Sequence, residues 1–236
     1  MLTIGNHIMD CWEVCSRGTG LFNTLRWLDS AGVAYAGAAA DLASVRAAVV
    51  IERGGLRFAF LAYDGTAPHH AATPDSPGMA PLDLDTLAAD VRRAAERSDH
   101  VITGASSTRP IRRSSRAQQL RLPSRRERLL VIGNHPHWVQ AVRLLDLAIV
   151  AYALGNFVFD QDWSISMTQG ITLEVGFNAD GPFGFRLRPL VIRGDVEHRR
   201  GRYRPEFVDP AGAGAPITQR VWEAIDRLPP RAPSER

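Results

Sequence analysis

Two short histidine-containing segments could support metal chemistry in this 236-residue chain. His135 and His137 flank Pro136 directly after an apolar segment, and Asn6 and His7 follow the apolar residues near the start of the sequence. A His-x-His pair at a strand end can chelate a divalent ion, because the one-residue gap lets the backbone aim both rings inward. Proline between them stiffens the loop and removes a competing N–H. A surface loop that carries two histidines is the alternative interpretation.

The other cysteines and histidines are weaker candidates. Cys11 and Cys15 have no second pair with which to form a thiolate site, and two cysteines are too few for a disulfide framework. His69 and His70 lie in a long loop rich in Pro, Gly and Thr, where we expect a solvated pair. His100 begins an apolar segment, so it does not stand at the strand end where ligands gather.

The basic residues are all arginine, and they are concentrated in one segment. Residues 104–130 contain eight arginines and one acid, Glu127, so the net charge of +3 comes from this segment and the rest of the chain is acidic. Guanidinium groups neutralise phosphates. This segment, however, has no interleaved aromatics, no regular period and no surrounding binding motif, so we predict no specific nucleic-acid partner.

The composition excludes several classes of protein. With 45% hydrophobic and 22% charged residues, the chain falls in the ordinary globular range. No apolar run reaches the roughly 18 to 20 residues of a membrane span, and no signal-peptide pattern opens the chain. We therefore expect no transmembrane segment and a chain that is soluble as written.

Local patterns predict the elements that must position the histidines. Leu21, Leu25 and Leu28 recur at helical spacing up to Gly32, and Asp83 can cap a second helix that runs to residue 97. A third helix closes the chain over residues 217–228. Apolar segments predict hairpins at 49–63 and 170–192 and strands at 2–4, 33–36, 100–103, 129–132 and 147–154. Strands that alternate with helices and are followed by antiparallel strands suggest a layered α/β sandwich.

Seven segments, taken in order, match one known family. They are residues 6–10, 20–25, 31–38, 58–63, 78–82, 133–137 with Gln140, and 152–157 with Asp160. In these segments the chain resembles the CapA capsule-synthesis proteins over roughly residues 1–195. The resemblance implies the fold of the calcineurin-like metallophosphatases, an α-β-β-α sandwich with metal ligands at the strand ends, here incomplete. We expect a domain over 1–195 and a polar linker, short helix and tail over 196–236.

The resemblance also assigns roles to the histidine segments. By their positions in the motifs, Asn6, His135 and His137 would be metal ligands, and the two histidines would each hold one of two divalent ions. Two such ions about 3.5–4 Å apart would activate a water and polarise a phosphoryl oxygen. His7 would stabilise the substrate oxyanion or protonate the leaving group, with Asp10 as a second catalytic candidate.

Three further residues complete the candidate site. Asn156 and Asp160 would contact the substrate or support the ligands, and Asp160 is equally compatible with a simple turn residue. Trp138, beside the His-x-His pair, fits either packing or stacking on a substrate. The identity of the metal (manganese, iron, zinc or magnesium) stays open, as does whether the chain retains it.

The chain departs from the family pattern at three places. The family's first strand, with its Gly-Asp turn, should precede residue 1, and a His-Trp-Gly element with a following Glu should come just after Ile102. Residues 103–107 read Thr-Gly-Ala-Ser-Ser instead, and the segment between Asp10 and the first helix is too long. We interpret 11–19 and 104–128 as segments translated in a shifted frame. We expect 104–128 to be the least ordered internal stretch.

The sequence thus predicts a protein of capsule or poly-γ-glutamate synthesis with a weakened, metallophosphatase-like hydrolase site. Its partners would be the synthesis machinery. The alternatives are a non-catalytic assembly or binding partner on the same fold, and a gene remnant without function. The family is often exported or anchored through an N-terminal segment, which would lie before residue 1, so the location stays open.

Overall fold

A computed structural model describes residues 1–9, 19–107, 128–145, 148–194 and 203–228. The described residues contain thirteen strands, four α-helices and two short 3-10 helices, Asn6–Met9 and Pro68–His70. The helices are α1 (Thr19–Ser30), α2 (Leu42–Val45), α3 (Leu84–Ala95) and α4 (Ala215–Asp226). The strands are β1 (Leu2–Thr3), β2 (Tyr35–Ala36), β3 (Ala38–Ala39), β4 (Val49–Arg53), β5 (Leu56–Asp64), β6 (Gly78–Met79), β7 (His100–Ser106), β8 (Leu129–Asn134), β9 (Val142–Leu145), β10 (Ala148–Ala151), β11 (Gln169–Asn178), β12 (Gly181–Arg193) and β13 (Arg204–Phe207).

A six-stranded sheet in the order β4-β5-β7-β8-β10-β9 forms the centre of the fold. Its four inner strands run parallel, and β4 and β9 pair antiparallel at the edges. The inner strands read as nearly continuous apolar runs because both faces of a parallel sheet are covered. Since parallel strands end at the same edge, Asp64, Ser106 and Asn134 stand side by side at the carboxyl ends of β5, β7 and β8.

Side chains of the inner strands point alternately to the two faces of the sheet, and this divides the core into two layers. Leu129 and Val131 of β8 belong to the layer that includes Val91 of α3, whereas Leu130 belongs to the layer that includes Ile171 of the second sheet. The second sheet has the order β11-β12-β13. Helix, sheet and sheet therefore form successive layers, which confirms the predicted layered α/β sandwich.

A buried ion-pair network links α3 to the central sheet beside Asp64. Asp90 of α3 is 2% exposed and accepts two hydrogen bonds from Arg46, each 2.9 Å, and one of 3.1 Å from the Tyr63 hydroxyl. Arg93 lies 3.1 Å from the same carboxylate. Burial, followed by the charge of Asp90, raises the pKa of Tyr63. The network therefore fixes Tyr63, the residue of β5 that immediately precedes Asp64.

Most of the predicted elements are confirmed. Leu21 and Leu25 are the buried residues of α1, which is followed by Gly32 with φ +64°, and Asp83 caps α3 by accepting a hydrogen bond from Thr86 N at 2.9 Å. Both hairpins form, β4 with β5 and β11 with β12. Ile217 is fully buried on α4. Residues 204–228 thus add a strand to the second sheet and a helix to its core, although the sequence suggested only a linker, a short helix and a tail.

One predicted strand needs correction, and two strands were missed. Strand β7 continues through Gly104 to Ser106, whose residues are buried, so the segment singled out as atypical from residue 104 begins as regular sheet. Strands β9 and β13, of four residues each, were not predicted. Residues 108–127 and most of 11–19 lie outside the described part of the chain. None of the helices in the described ranges is long and apolar enough to cross a lipid bilayer.

Candidate functional site

The candidate site lies at the carboxyl edge of the inner strands. The register places Asp64, Ser106 and Asn134 side by side, and His135 follows directly on Asn134. A small cleft of about 10 Å³ lies at this edge, between the strand ends and β1 with the residues after it. Its lining residues are Thr3, Ile4, Gly5, Ala62, Tyr63, Gly104, Ala105, Ser106 and Asn134.

Asp64 is the acidic residue of this edge, and the sequence analysis did not select it. Its carboxylate is 3% exposed and accepts hydrogen bonds from the Thr66 hydroxyl (2.7 Å) and the Ala67 amide (2.9 Å). Such a turn is common for aspartate at a strand end. The available signal was an acid directly after the apolar second strand of the predicted hairpin at 49–63.

His135 is the most constrained residue of the site. Its φ of +89° is left-handed, a conformation that side chains other than glycine rarely adopt and that costs of order 1–3 kcal/mol. The strand before it approaches the residue after β10 so closely that a Cβ on Gly133 would meet the Tyr152 carbonyl oxygen. The loop therefore turns sharply at His135, and strained backbone of this kind concentrates at functional sites.

Electrostatics show which side chains surround His135. Its pKa is lowered, first by burial and then by the charges of His137 and His7, whereas the charge of Asp64 opposes the shift. His7, His137 and Asp64 therefore each lie within electrostatic range of His135. The structure thus brings His7 of the N-terminal segment to the edge that holds the His-x-His pair. His135 Nδ1 is buried and has no hydrogen-bond partner within the described ranges.

A hydrogen-bond chain orients His137. Asn156 is 8% exposed, and its Nδ2 donates to the Met167 carbonyl oxygen at 3.0 Å. This fixes the amide so that its Oδ1 faces His137 Nδ1 at 2.8 Å. A carbonyl oxygen can only accept, so Nδ1 must carry the proton and Nε2 keeps its lone pair. Asn156 is therefore a positioning residue for His137, as partners of metal-binding histidines commonly are.

The separation of the two histidine rings can be compared with that required to share one ion. The ring centroids of His135 and His137 are 6.2 Å apart. With metal–nitrogen bonds of about 2.0–2.1 Å, two rings that share a tetrahedral ion have centroids roughly 5 Å apart, so an approach of about 1 Å would let them chelate together. Within the residues that the structure describes, no group of three or more His, Cys, Asp or Glu side chains is arranged to hold a metal.

The remaining predicted site residues are placed as follows. Asn6 begins the 3-10 helix Asn6–Met9. Asp10 lies outside the described residues. Asp160 is exposed; the pKa of the nearby Tyr203 is raised chiefly by its hydrogen bond to Asp162, and the charge of Asp160 adds the smallest contribution. Trp138 is 44% exposed and is therefore not a core residue.

These features define a layered α/β protein with a histidine-bearing site at the carboxyl edge of its central sheet. Residues 3–161 match the family described as "Bacterial capsule synthesis protein PGA_cap". The match covers more than half of the chain, and the chain belongs to this family. The family prediction from the sequence is confirmed.

Individual relatives agree with the family match. The chain is 26% identical over 155 residues to the "Capsule biosynthesis protein CapA" of Bacillus anthracis, covering 61% of this chain and 37% of that protein. It is 24% identical over 192 residues to the "PGA biosynthesis protein CapA" of Bacillus subtilis (strain 168), covering 79% and 49%. The chain thus spans half or less of the length of these relatives.

A solved structure is also similar. It is a 5'-nucleotidase precursor from Thermus thermophilus, with a TM-score of 0.45 and 17% identity, covering 80% of this chain and 38% of that one.

Proposed function

We propose that this chain acts in bacterial capsule synthesis, of the poly-γ-glutamate type named for its Bacillus subtilis relative, through a metal-assisted hydrolase-like site. The observation that carries the proposal is the orientation of His137. A buried amide holds its Nδ1–H, and Nε2 is left as a lone pair near a second, half-buried imidazole whose own Nδ1 is buried. Histidines with one nitrogen fixed in this way are typical metal ligands.

In this proposal His135, His137 and Asn6 together hold one divalent ion, and His7, the neighbour of Asn6, lies at the same edge. A bound ion would polarise a phosphoryl oxygen and lower the pKa of a water. His7 donates a proton to the leaving group or stabilises charge on the substrate oxygen. Asp10 keeps the same proposed catalytic role, and Asp160 that of a substrate contact.

The site should bind metal weakly. Its proposed ligands, Asn6, His135 and His137, are all neutral, whereas two ions a few ångströms apart repel strongly and normally need a bridging carboxylate. Asp64 is the buried acid nearest in the register, but its carboxylate already accepts hydrogen bonds from residues 66 and 67. We expect a single ion with an affinity of about 1 μM or weaker, and low turnover.

A non-catalytic role in assembling the capsule machinery is the second candidate. It is favoured by the lack, among the described residues, of a three-member group of His, Cys, Asp or Glu side chains that could hold a metal. On this alternative the layered fold would serve as a binding surface and the histidine edge would be vestigial.

Metal titration combined with turnover separates the two candidates. Purified protein is titrated with Mn²⁺ and Zn²⁺ by calorimetry, and hydrolysis of a generic phosphate ester is followed in excess Mn²⁺. One ion per chain, with binding and turnover abolished by His137→Ala, supports the hydrolase-like site. The matched control is His69→Ala, an exposed histidine in the loop after β5. Metal-free, inactive protein favours the assembly role, and two tightly bound ions would contradict the proposed weakness.

A further inference from the structure

Two side chains of one segment contact the imidazole of His137. Asn156 Oδ1 lies 2.8 Å from its Nδ1, and the ring of Phe159 lies 5.1 Å away, centroid to centroid, with the two planes 42° apart. Aromatic rings with centroids about 4.5–7 Å apart attract each other beyond the effect of burial alone. The imidazole is therefore held by a hydrogen bond at Nδ1 and by a separate ring contact, both from residues 156–159.

This segment is fixed to the second sheet where it begins. The Leu154 carbonyl oxygen accepts a hydrogen bond of 2.8 Å from Ile171 N of β11. The backbone of Asn156 approaches β11 so closely that a Cβ on Gly170 would meet the Asn156 carbonyl oxygen. Because its backbone is packed in this way, Asn156 cannot follow the imidazole of His137 if that ring moves.

The segment is also tied beyond Phe159. The Tyr203 hydroxyl, next to β13, donates a hydrogen bond of 3.1 Å to Asp162 Oδ2. Phe159 therefore lies between two tied positions, three residues after Asn156 and three residues before Asp162. A side chain on a backbone that is already ordered can hold a neighbouring ring at a small additional cost in conformational entropy.

The hydrogen bond to Asn156 does not by itself fix the orientation of His137. The side chain is half-buried, and its χ1 torsion has three staggered wells, so it has alternatives that turn toward solvent. In such an orientation, water replaces the hydrogen bond to Asn156, whereas the ring contact with Phe159 is lost without replacement. The contact with Phe159 therefore favours the orientation in which Nδ1 meets Asn156. An ion that binds only this orientation binds more weakly as the oriented fraction falls.

We propose that Phe159 is a positioning residue for His137, and that it acts with Asn156 to present Nε2 to the proposed ion. The second sheet, through residues 154–162, would then orient a ligand that follows a strand of the central sheet. This inference deepens the proposed function and rests on it for the ion. The orientation of His137 in the metal-free chain is measured independently of that function.

The test compares the full chain with Phe159→Ala, first without metal. Nitrogen NMR of the imidazole reports the tautomer of His137, and side-chain couplings report its χ1 rotamer. We expect the Nδ1–H tautomer and one rotamer in the unsubstituted chain, and a mixture of rotamers in Phe159→Ala. Zn²⁺ is then titrated by calorimetry. If the three staggered orientations become comparably populated, the affinity should fall about threefold.

Two further variants separate positioning from general packing. Phe159→Tyr keeps the ring, and its added hydroxyl can reach water because Phe159 is 38% exposed, so this variant should retain the single rotamer and the affinity. Phe157→Ala is the matched control, because Phe157 is 50% exposed in the same segment and makes no ring contact with His137 in the described part of the chain. This control should change neither measurement.

The rotamer of His137 and the affinity for Zn²⁺ together decide the proposal. Rotamer averaging and weaker binding in Phe159→Ala, but not in Phe159→Tyr or Phe157→Ala, support it. A single rotamer in Phe159→Ala, equal averaging in Phe157→Ala, or averaging without a loss of affinity overturns it. An unsubstituted chain that binds no Zn²⁺ contradicts the proposed function, and the NMR comparison then decides the role of Phe159 alone. Circular dichroism of each variant confirms that the fold is intact.

Discussion

Replacing Asn156 by leucine isolates the contribution of one hydrogen bond to metal binding. Leucine has a similar size but cannot accept the proton of His137 Nδ1, which the amide oxygen now accepts at 2.8 Å. The imidazole loses its fixed tautomer, so Nε2 carries the proton for part of the time and cannot bind metal. Loss of such a partner typically costs 10–100-fold in metal affinity, or about 1.4–2.7 kcal/mol.

The same substitution has a separate cost in folding stability. It also removes the 3.0 Å hydrogen bond from Asn156 Nδ2 to the Met167 carbonyl oxygen. Two hydrogen bonds at about 0.5–1.5 kcal/mol each predict a loss of about 1–3 kcal/mol in the free energy of unfolding. Asn178→Leu is the matched control, because this amide accepts hydrogen bonds from the residue 180 and 181 amides in the β11–β12 turn. The control should lower stability without changing metal affinity.

Calorimetric titration with Zn²⁺ and Mn²⁺ measures the affinity, and nitrogen NMR of the imidazoles reports the tautomer of His137. Asn156→Asp keeps an acceptor for Nδ1 and adds a negative charge, so it should bind metal at least as well as the unsubstituted chain. The reasoning is refuted if Asn156→Leu keeps both the Nδ1–H tautomer and an affinity within twofold. It is also refuted if Asn178→Leu loses affinity to the same extent.

Three further predictions concern stability in urea titrations. The pKa of His100 is lowered chiefly by burial, so the free energy of unfolding should fall as the pH drops below about 6.5, by at most about 1.4 kcal/mol per pH unit. His100→Phe should flatten this slope, and an unchanged slope would contradict the assignment to His100. Asp90→Asn should lower the free energy of unfolding by about 3 kcal/mol, at the low end for buried pairs because Arg46 is partly exposed. Asp85→Asn, at an exposed position on the same helix, should change it by no more than about 0.5 kcal/mol, and equal losses would refute the role of the ion-pair network. Tyr63→Phe should cost about 1 kcal/mol, and no loss would show that its hydrogen bond to Asp90 is dispensable.

The features that could be predicted from the sequence are those encoded by local patterns. Leucines at helical spacing identify α1, the Asp83 side chain identifies the start of α3, and the Asn178 turn identifies the second hairpin. Strands β9 and β13 were missed because four-residue edge strands carry little pattern of their own and form by pairing with a longer neighbour. The prediction ended strand β7 too early because Gly104 to Ser106 are weak strand formers. The neighbouring strands β5 and β8 hold these residues in register.

Some residues of the candidate site could likewise be found from local sequence patterns, and others only from the fold. His7, His135 and His137 could be selected from residue type and motif, because imidazoles after apolar segments are unusual. Asp64 could not, since its importance depends on its lying in register with Ser106 and Asn134, which are far away in sequence. The roles assigned to Asn6, Asp10 and Asp160 stay predictions.

Burial of the His135 ring and the charge of Asp64 have opposite effects on the pKa of His135. Burial and the neighbouring histidines lower the pKa of His135, so the ring is neutral at pH 7 and its lone pair is available without displacing a proton. Asp64 opposes that shift, but it also supplies the negative charge that the neutral ligands lack. Its carboxylate accepts hydrogen bonds from the Thr66 hydroxyl and the Ala67 amide, which reduces the charge it offers to an ion. The proposed site is therefore better prepared to accept an ion than to hold it, because the His135 ring is already neutral while the nearest carboxylate is engaged by its own loop.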